Sequence, residues 1–186
     1  MDIMIIVYAV LAYFIGSIPS GLIIGKTFFN TDVRQYGSKN IGATNTYRVI
    51  GLKAALPVFL CDALKGAAGV VLLSSFGPMY MILGGILAMM GHNWSIFLGF
   101  KGGRGVATGL GVLIALSPLV ALICFLVWDI IVYFTKLVSL GSIVAAALVP
   151  VLMYVTGESY WFVGFGGLAA LFVIVRHWDN IKRLLA

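Results

Sequence analysis

Long apolar runs separated by short polar segments make up almost the whole chain. The apolar runs cover residues 3–24, 54–74, 79–99, 105–117, 119–135, 138–156 and 160–175. A bilayer core about 30 Å thick needs roughly 20 apolar residues per helix, so each run is a candidate transmembrane helix. We therefore predict an all-α integral membrane protein with seven transmembrane helices, folded as a single helical bundle domain over residues 1–186.

The run at residues 105–117 differs from the others, because it is short for a span and Pro118 follows it directly. It could be a short helix or a re-entrant segment. The alternative is five spans, in which residues 106–134 form one long tilted helix and Lys136 lies outside. That arrangement puts one cation on the wrong side of the membrane, so we prefer seven spans.

Composition and charge support this topology. Hydrophobic residues make up 62% of the chain and charged residues 10%, which excludes a soluble globular domain. With the N-terminus outside, every Lys and Arg except Lys65 falls in a cytoplasmic segment. The charged residues of the outer segments are only Asp2 and Glu158. Because basic residues accumulate on the cytoplasmic side, we predict the N-terminus outside and the C-terminus in the cytoplasm.

The first polar segment, "YGSKNIGATNTYR", follows the first apolar run. Its hydroxyl and amide side chains, its cations and its two glycines could together bind a cluster of anionic oxygens. The positive-inside tendency alone would explain Lys39 and Arg48, but it does not explain the Asn, Thr and Gly residues between them.

The second polar segment, "GFKGGRGVATG", covers residues 99–109. It is not a Walker A motif, because the Lys precedes the glycines. Lys101, Arg104 and Thr108 still suggest a nest of backbone amides at a helix N-terminus, where an anion is favoured. The alternative is an ordinary glycine-rich turn between two membrane helices.

The third polar segment is the tail, "VRHWDNIKRLL". On a helix, Arg176, Asn180 and Arg183 lie at positions i, i+4 and i+7, with His177 beside them. This spacing predicts one stripe of cationic and amide donors. The alternative is an amphipathic tail that contacts anionic lipid headgroups.

Two charges lie within the second apolar run. Asp62 and Lys65 stand at i, i+3 spacing, where an unpaired charge near the bilayer centre costs roughly 2.5–3.5 kcal/mol. We expect them to pair with each other, and Asp62 could also hold a cation of the site in position. His92 is interpreted as a helix-end histidine with a satisfied ring and not as a catalyst.

The side chains available limit the chemistry. Two histidines and six acidic residues form no cluster with metal-ligand spacing, and no Cys/His pair is present, so we expect no metal and no cofactor. The chain is rich in anion-binding groups and poor in general bases, which favours a substrate that brings its own phosphate. A transporter of a phosphorylated metabolite is the alternative, although no internal repeat of the kind common in transporters is present.

The motifs "GSKNIGATNTYR", "CDALKG", "FKGGRGVATG" and "RHWDNIKRL" together resemble those of the bacterial acyl-phosphate:glycerol-3-phosphate acyltransferases, the PlsY family. The resemblance implies a seven-helix enzyme of the bacterial inner membrane whose active site faces the cytoplasm. It implies transfer of a fatty acyl group from acyl phosphate to the sn-1 hydroxyl of glycerol 3-phosphate, which releases phosphate and 1-acylglycerol 3-phosphate. The expected partners are these two substrates and membrane lipids, with no nucleic acid.

The resemblance also assigns site residues by position. The expected catalytic residues are Ser38, Lys101, His177 and Asn180, and Asp62 and Lys65 are expected to support them. The expected substrate-binding residues are Asn40, Thr44, Asn45, Arg48, Gly102, Gly103, Arg104, Ser142, Arg176 and Arg183, with Ser139 as a further candidate. Arg104 departs from the family, which commonly has Lys there; the charge is kept, but a point donor becomes a fork.

Overall fold

The computed structural model describes residues 3–185, without the side chains of residues 179 and 183–185. Over this part of the chain every regular element is helical. The α-helices are α1 Ile3–Ser17, α2 Ser20–Phe29, α3 Ala43–Val49, α4 Leu52–Leu72, α5 Pro78–Asn93, α6 Val106–Leu116, α7 Pro118–Thr135, α8 Val138–Val155, α9 Tyr160–Arg176 and α10 Trp178–Leu185. Single 3-10 turns lie at Val33–Gln35, Ser74–Phe76 and Ile96–Leu98. The all-α prediction is confirmed for the described residues.

By length and composition, four segments among the described residues are able to cross a membrane: Leu52–Phe76, Pro78–Leu98, Pro118–Thr135 and Val138–Val155. A fifth span is reached if α1 and α2, which are bent by 44° relative to each other, count as one. Helices α6 and α9 are apolar but shorter. Each predicted apolar run thus corresponds to a helix or a bent pair, and the first run, expected to be one span, is broken at Ile18 and Pro19.

The break between α1 and α2 lies at Pro19, which has no backbone N–H to donate. Beside this break the carbonyls of Ser17 and Ile18 accept hydrogen bonds from the side chains of distant residues. Ser95 Oγ donates to Ser17 O at 2.5 Å, and Lys65 Nζ donates to Ile18 O at 2.9 Å. The break is thus satisfied by two distant parts of the chain.

A second break separates α6 from α7. Ser117 is non-helical, with φ −150° and ψ 86°, and Pro118 is the first residue of α7. The single long helix over residues 106–134 on which the five-span alternative depended is therefore wrong, because Pro118 ends the hydrogen-bond ladder there. The hydroxyl of Ser117 donates to the carboxylate of Glu158.

The chain forms two compact units, one made by residues up to Val112 and one by residues from Leu113. The first unit packs α1 and α4 against α5 through small residues. A Cβ at Gly16 would lie 2.2 Å from Ala88 O, and one at Gly84 would lie 2.0 Å from Gly69 O. The helix backbones therefore approach one another closely, as small residues permit in membranes.

The second unit packs α8 between α7 and α9. Gly141 of α8 lies against the Trp128 ring of α7, and Gly166 of α9 lies against Met153, whose side chain is fully buried. Both units expose many large apolar side chains on their outer faces, Leu64 and Leu168 among them, as expected where lipid tails take the place of water.

Gly84→Ala should destabilise the protein by about 1–3 kcal/mol, because its methyl group would overlap the carbonyl of Gly69 and force α4 and α5 apart. Gly164→Ala is the matched control, since nothing lies within 4 Å of a Cβ at that helical glycine. The thermal unfolding midpoint of the purified protein in detergent measures both effects. Equal midpoints for the two variants would contradict the close α4–α5 contact.

Candidate functional site

The first polar loop is organised around the buried side chain of Asn45. Its Nδ2 donates to the carbonyls of Val33 at 2.8 Å, Asn40 at 2.9 Å and Tyr36 at 3.2 Å. Its Oδ1 accepts from the backbone N–H of Ser38 at 2.8 Å. One amide therefore fixes both sides of the loop. Because these polar atoms are engaged within the loop, the hydrogen bonds lend no support to direct substrate contact by Asn45, which stays a prediction.

Tight turns allow the loop to close around Asn45. Gly37 has φ +60°, and a Cβ there would lie 2.4 Å from Asn45 Oδ1. Lys39 also adopts a left-handed backbone, with φ +58°. The fold leaves a set of polar side chains exposed on the outside of the loop: Ser38, Lys39, Thr44 and Arg48. Asn40 is half-buried, and its Oδ1 accepts from Gly42 N at 2.8 Å.

The entrance to this loop carries an ion-pair cluster that sequence reasoning missed. Asp32 pairs with Arg34 at 2.7 Å and with Lys26 at 3.4 Å, beside a polar cleft of about 560 Å³. The hydrogen-bonded Arg34 guanidinium holds the pKa of the Asp32 carboxyl well below its usual range. The pairing is therefore present at neutral pH and is lost only as the pH falls through that lowered pKa.

The glycine-rich loop is tied to the end of α5. Gly102 N donates to Asn93 O at 3.0 Å, and Gly103 N donates to His92 O at 2.9 Å. The expected nest of amides is therefore wrong for these two groups, because helix carbonyls already accept their hydrogens. Substrate binding at Gly102 and Gly103 stays a prediction, and the glycines have a packing role as well. Lys101 is exposed at the start of this segment, whereas Gly103 is buried.

A charged cluster is buried in the first unit. Asp62 Oδ1 lies 2.7 Å from Lys65 Nζ, as the expected pairing requires. It also lies 3.6 Å from His92 Nδ1, on α5. All three side chains are buried. The cluster therefore links α4, α5 and, through Lys65, the break after α1.

Both polar loops of the first unit contact the residues around the α1–α2 break. Ser95, at the start of the glycine-rich loop region, bonds to Ser17 O at the α1–α2 break. On the other side, a Cβ at Gly21 of α2 would lie 1.8 Å from Ile41 O of the first loop. Both polar loops are therefore positioned by the residues around Pro19.

The third polar segment belongs to the second unit, at the junction of α9 and α10. Arg176 is the last residue of α9, and both Arg176 and Asn180 are half-buried. His177 is buried, and its Nδ1 lies 2.8 Å from Val173 O. A carbonyl only accepts hydrogen bonds, so this contact places a proton on Nδ1 and leaves Nε2 as the nitrogen for proton exchange. The side chain of Arg183 lies outside the described residues.

Ser142 lies inside the second unit. Its hydroxyl donates to Val138 O at 2.9 Å and accepts from Trp128 Nε1 at 3.3 Å. These contacts link α8 to α7. The hydroxyl is buried, so the contacts give Ser142 a packing role, and its expected substrate contact stays a prediction. Ser139, one turn earlier in α8, is half-buried.

Two polar residues at the end of α5 matter more than the sequence interpretation allowed. The sequence predicts only a satisfied helix-end histidine at His92 and assigns no role to Asn93. In the structure the main-chain carbonyls of both accept hydrogen bonds from the glycine-rich loop, and the His92 ring lies against Gly103. The available signal was their position: two polar residues end an apolar run just before the loop. Among the described residues, no group of three or more His, Cys, Asp or Glu side chains is arranged to hold a metal ion.

A family model and the sequences of related proteins all indicate the same family for this chain. The family model described as glycerol-3-phosphate acyltransferase matches residues 6–186. A glycerol-3-phosphate acyltransferase of Fusobacterium nucleatum is 46% identical, with 96% of this chain and 93% of that protein covered. Glycerol-3-phosphate acyltransferase 2 of Moorella thermoacetica is 48% identical, with 95% and 92% covered.

Solved structures agree. The crystal structure of PlsY, an integral membrane glycerol 3-phosphate acyltransferase, in its glycerol 3-phosphate form superposes with a TM-score of 0.91 at 39% identity, covering 97% of this chain and 92% of that chain. The lysophosphatidic acid form gives a TM-score of 0.89 at 38% identity, covering 97% and 91%.

Asn45→Asp should unfold the first loop, because a carboxylate would face three carbonyl oxygens to which the amide now donates. Burial of that unsatisfied charge should lower stability by about 2 kcal/mol or more. Asn40→Asp is the matched control, since Asn40 uses only its oxygen in the loop, to accept from Gly42 N. The unfolding midpoint and the rate of trypsin cleavage at Arg34 and Lys39 measure the difference. If Asn45→Asp and Asn40→Asp have equal unfolding midpoints and equal cleavage rates, the role of the Asn45 amide in holding the loop is refuted.

Proposed function

The chain belongs to the glycerol-3-phosphate acyltransferase family, and from that premise we propose that acyl phosphate is its acyl donor. The acceptor is glycerol 3-phosphate. The sn-1 hydroxyl attacks the acyl carbonyl, the new ester C–O bond forms, and the bond between the acyl carbon and the phosphate oxygen breaks. The products are 1-acylglycerol 3-phosphate and inorganic phosphate, an early step of phospholipid synthesis.

One observation carries this proposal: the family match runs through all three polar segments, which together hold exposed or half-buried hydroxyl, amide and cationic groups. Both proposed substrates are phosphate esters or anhydrides, so each needs cationic and hydrogen-bonding partners. Acyl phosphate is already an activated mixed anhydride, so no acyl-enzyme is needed. That fits a chain with few general bases and two histidines.

We assign roles from the family resemblance and the exposure of each side chain. Lys101 neutralises the phosphoryl group that leaves, and Ser38, His177 and Asn180 align the attacking hydroxyl. The other groups grip the two phosphates: Asn40, Thr44, Arg48, Arg104, Arg176 and Arg183. Asp62 and Lys65 support them from within the membrane. Catalysis then depends on alignment and on electrostatic stabilisation of the carbonyl oxygen and the departing phosphate.

The proton of the attacking hydroxyl goes to a phosphate oxygen of a substrate in the route we propose. His177 as general base is the competing assignment. The Nδ1 contact with Val173 O fits both, because it fixes the ring and directs exchange to Nε2. A direct measurement must therefore separate the two routes.

We propose that the protein is a bacterial inner-membrane enzyme that crosses the membrane seven times, with α1, α4, α5, α6, α7, α8 and α9 as the crossings. The N-terminus lies outside, and the site faces the cytoplasm. The distribution of Lys and Arg supports this orientation. Of the two candidate functions, a transporter of a phosphorylated metabolite finds no support, since the family and its relatives are acyltransferases.

Lys101→Ala should lower kcat by about a hundredfold to a thousandfold, because a positioned charge that stabilises the transition state is lost. The assay follows phosphate release and 1-acylglycerol 3-phosphate formation from palmitoyl phosphate and glycerol 3-phosphate. Lys53→Ala is the matched control, an exposed cation at the start of α4 outside the proposed site. No turnover by folded wild-type protein would refute the proposed donor, and a fully active Lys101→Ala variant would refute the role of Lys101.

Replacement of His177 separates the two proton routes. In the substrate-assisted route His177→Gln keeps a measurable rate that still varies with pH, because a substrate phosphate titrates, whereas His177→Ala loses activity at every pH because the orienting group is gone. The pH profiles of kcat for wild type and both variants are the measurement. A histidine base is indicated instead if His177→Gln is as inactive as His177→Ala.

A further inference from the structure

The end of α5 and the glycine-rich loop fit together through His92. The backbone carbonyl of His92 accepts from Gly103 N at 2.9 Å, so the two residues are joined at the main chain. The ring of His92 lies on the same residue. A Cβ built on Gly103 would lie 2.0 Å from His92 Nε2. No side chain larger than hydrogen fits at residue 103 while the ring keeps this position.

A buried carboxylate lies behind the ring of His92. Its Nδ1 faces Asp62 Oδ1 at 3.6 Å, and that carboxylate is fixed by Lys65 Nζ at 2.7 Å. Lys65 is anchored in turn to Ile18 O. The imidazole therefore stands between a buried carboxylate on α4 and the backbone of the loop.

The neighbouring Asn93 also accepts a main-chain hydrogen bond from the glycine-rich loop. Asn93 O accepts from Gly102 N at 3.0 Å, and a Cβ on Gly102 would lie 2.1 Å from His92 O. The loop is thus pressed against the C-terminal turn of α5 at two consecutive residues. Lys101 comes directly before these residues and Arg104 directly after them. A shift of the loop against α5 would move both cations together.

We propose that His92 is a positioning residue for the acyl transfer reaction: its ring, backed by Asp62, sets the height of Gly103 above α5 and so places Lys101 and Arg104 toward the substrate phosphates. This inference rests on the proposed roles of those two cations. His92 touches no substrate in this account. Misplacement of a catalytic group by about 1 Å is enough to cost on the order of a hundredfold in rate.

A double-mutant cycle at residues 92 and 103 tests the proposal while both members of the Asp62–Lys65 pair stay in place. Gly103→Ala alone should lower kcat/KM by about tenfold to a hundredfold, because the methyl group displaces the ring and the loop. His92→Ala alone should also lower kcat/KM. In the double variant the truncated residue 92 makes room for the methyl group, so kcat/KM should rise at least about threefold above that of Gly103→Ala.

Gly109→Ala is the control in the same region. Only the flexible end of Met89 lies within 4 Å of a Cβ there, at 3.6 Å, so kcat/KM should match that of wild type. All rates are expressed per folded protein, determined from the thermal unfolding transition. A purely structural role of His92 would lower the unfolding midpoint and leave kcat/KM per folded protein unchanged, which would overturn the proposal.

The remaining outcomes are also decisive. If the wild-type protein turns over and the losses in kcat/KM caused by His92→Ala and Gly103→Ala simply multiply in the double variant, the positioning role is refuted. The acyltransferase function is unaffected by that result. A folded wild-type protein without turnover would refute the proposed function and, with it, this inference. The same cycle measured on unfolding midpoints would then still report whether residues 92 and 103 are in contact.

Discussion

The arrangement of the first unit depends on one buried carboxylate. Asp62 lies inside a membrane helix, where an unpaired charge is costly, so its partners must be fixed. Lys65 lies one turn away and neutralises it at 2.7 Å. The ammonium needs further acceptors, and Ile18 O, beside the helix break at Pro19, supplies one. The helix break and the buried charge therefore stabilise each other, and each would be unfavourable alone.

Close backbone packing makes this polar network possible. Gly66 and Gly111 bring α4 and α6 together, since a Cβ at Gly66 would lie 2.0 Å from Thr108 O and one at Gly111 would lie 1.8 Å from Ala63 O. Lipid tails are as apolar as Leu, so helices in a membrane gain little from burying large side chains against one another. Small residues permit contact between backbones instead, and buried side chains such as Asp62 then reach partners on other helices.

The elements were largely predictable, whereas the contacts were not. Apolar runs located α4, α6, α7, α8 and α9 to within two residues, because hydropathy dominates in a membrane and Pro118 marks a boundary on its own. The i, i+3 spacing sufficed for the Asp62–Lys65 pair. His92 and Asn45 could not be assigned in this way, since their partners lie up to 30 residues away in the chain and are brought close only by packing.

Each polar motif contains exposed residues and buried residues that hold the loop together. The sequence alone does not distinguish these two groups. In "GSKNIGATNTYR" the exposed Ser38 and Arg48 stand among residues such as Asn45, which is buried and holds the loop together. In the glycine-rich segment Lys101 is exposed, while Gly103 is packed on a histidine ring. Binding an anion from a membrane surface requires both kinds, because donors on an unsupported loop would lose conformational entropy on binding and hold the phosphate poorly. A motif in such a protein therefore contains exposed residues that form a binding surface and buried residues that hold the loop in place. The burial of each side chain shows to which group it belongs.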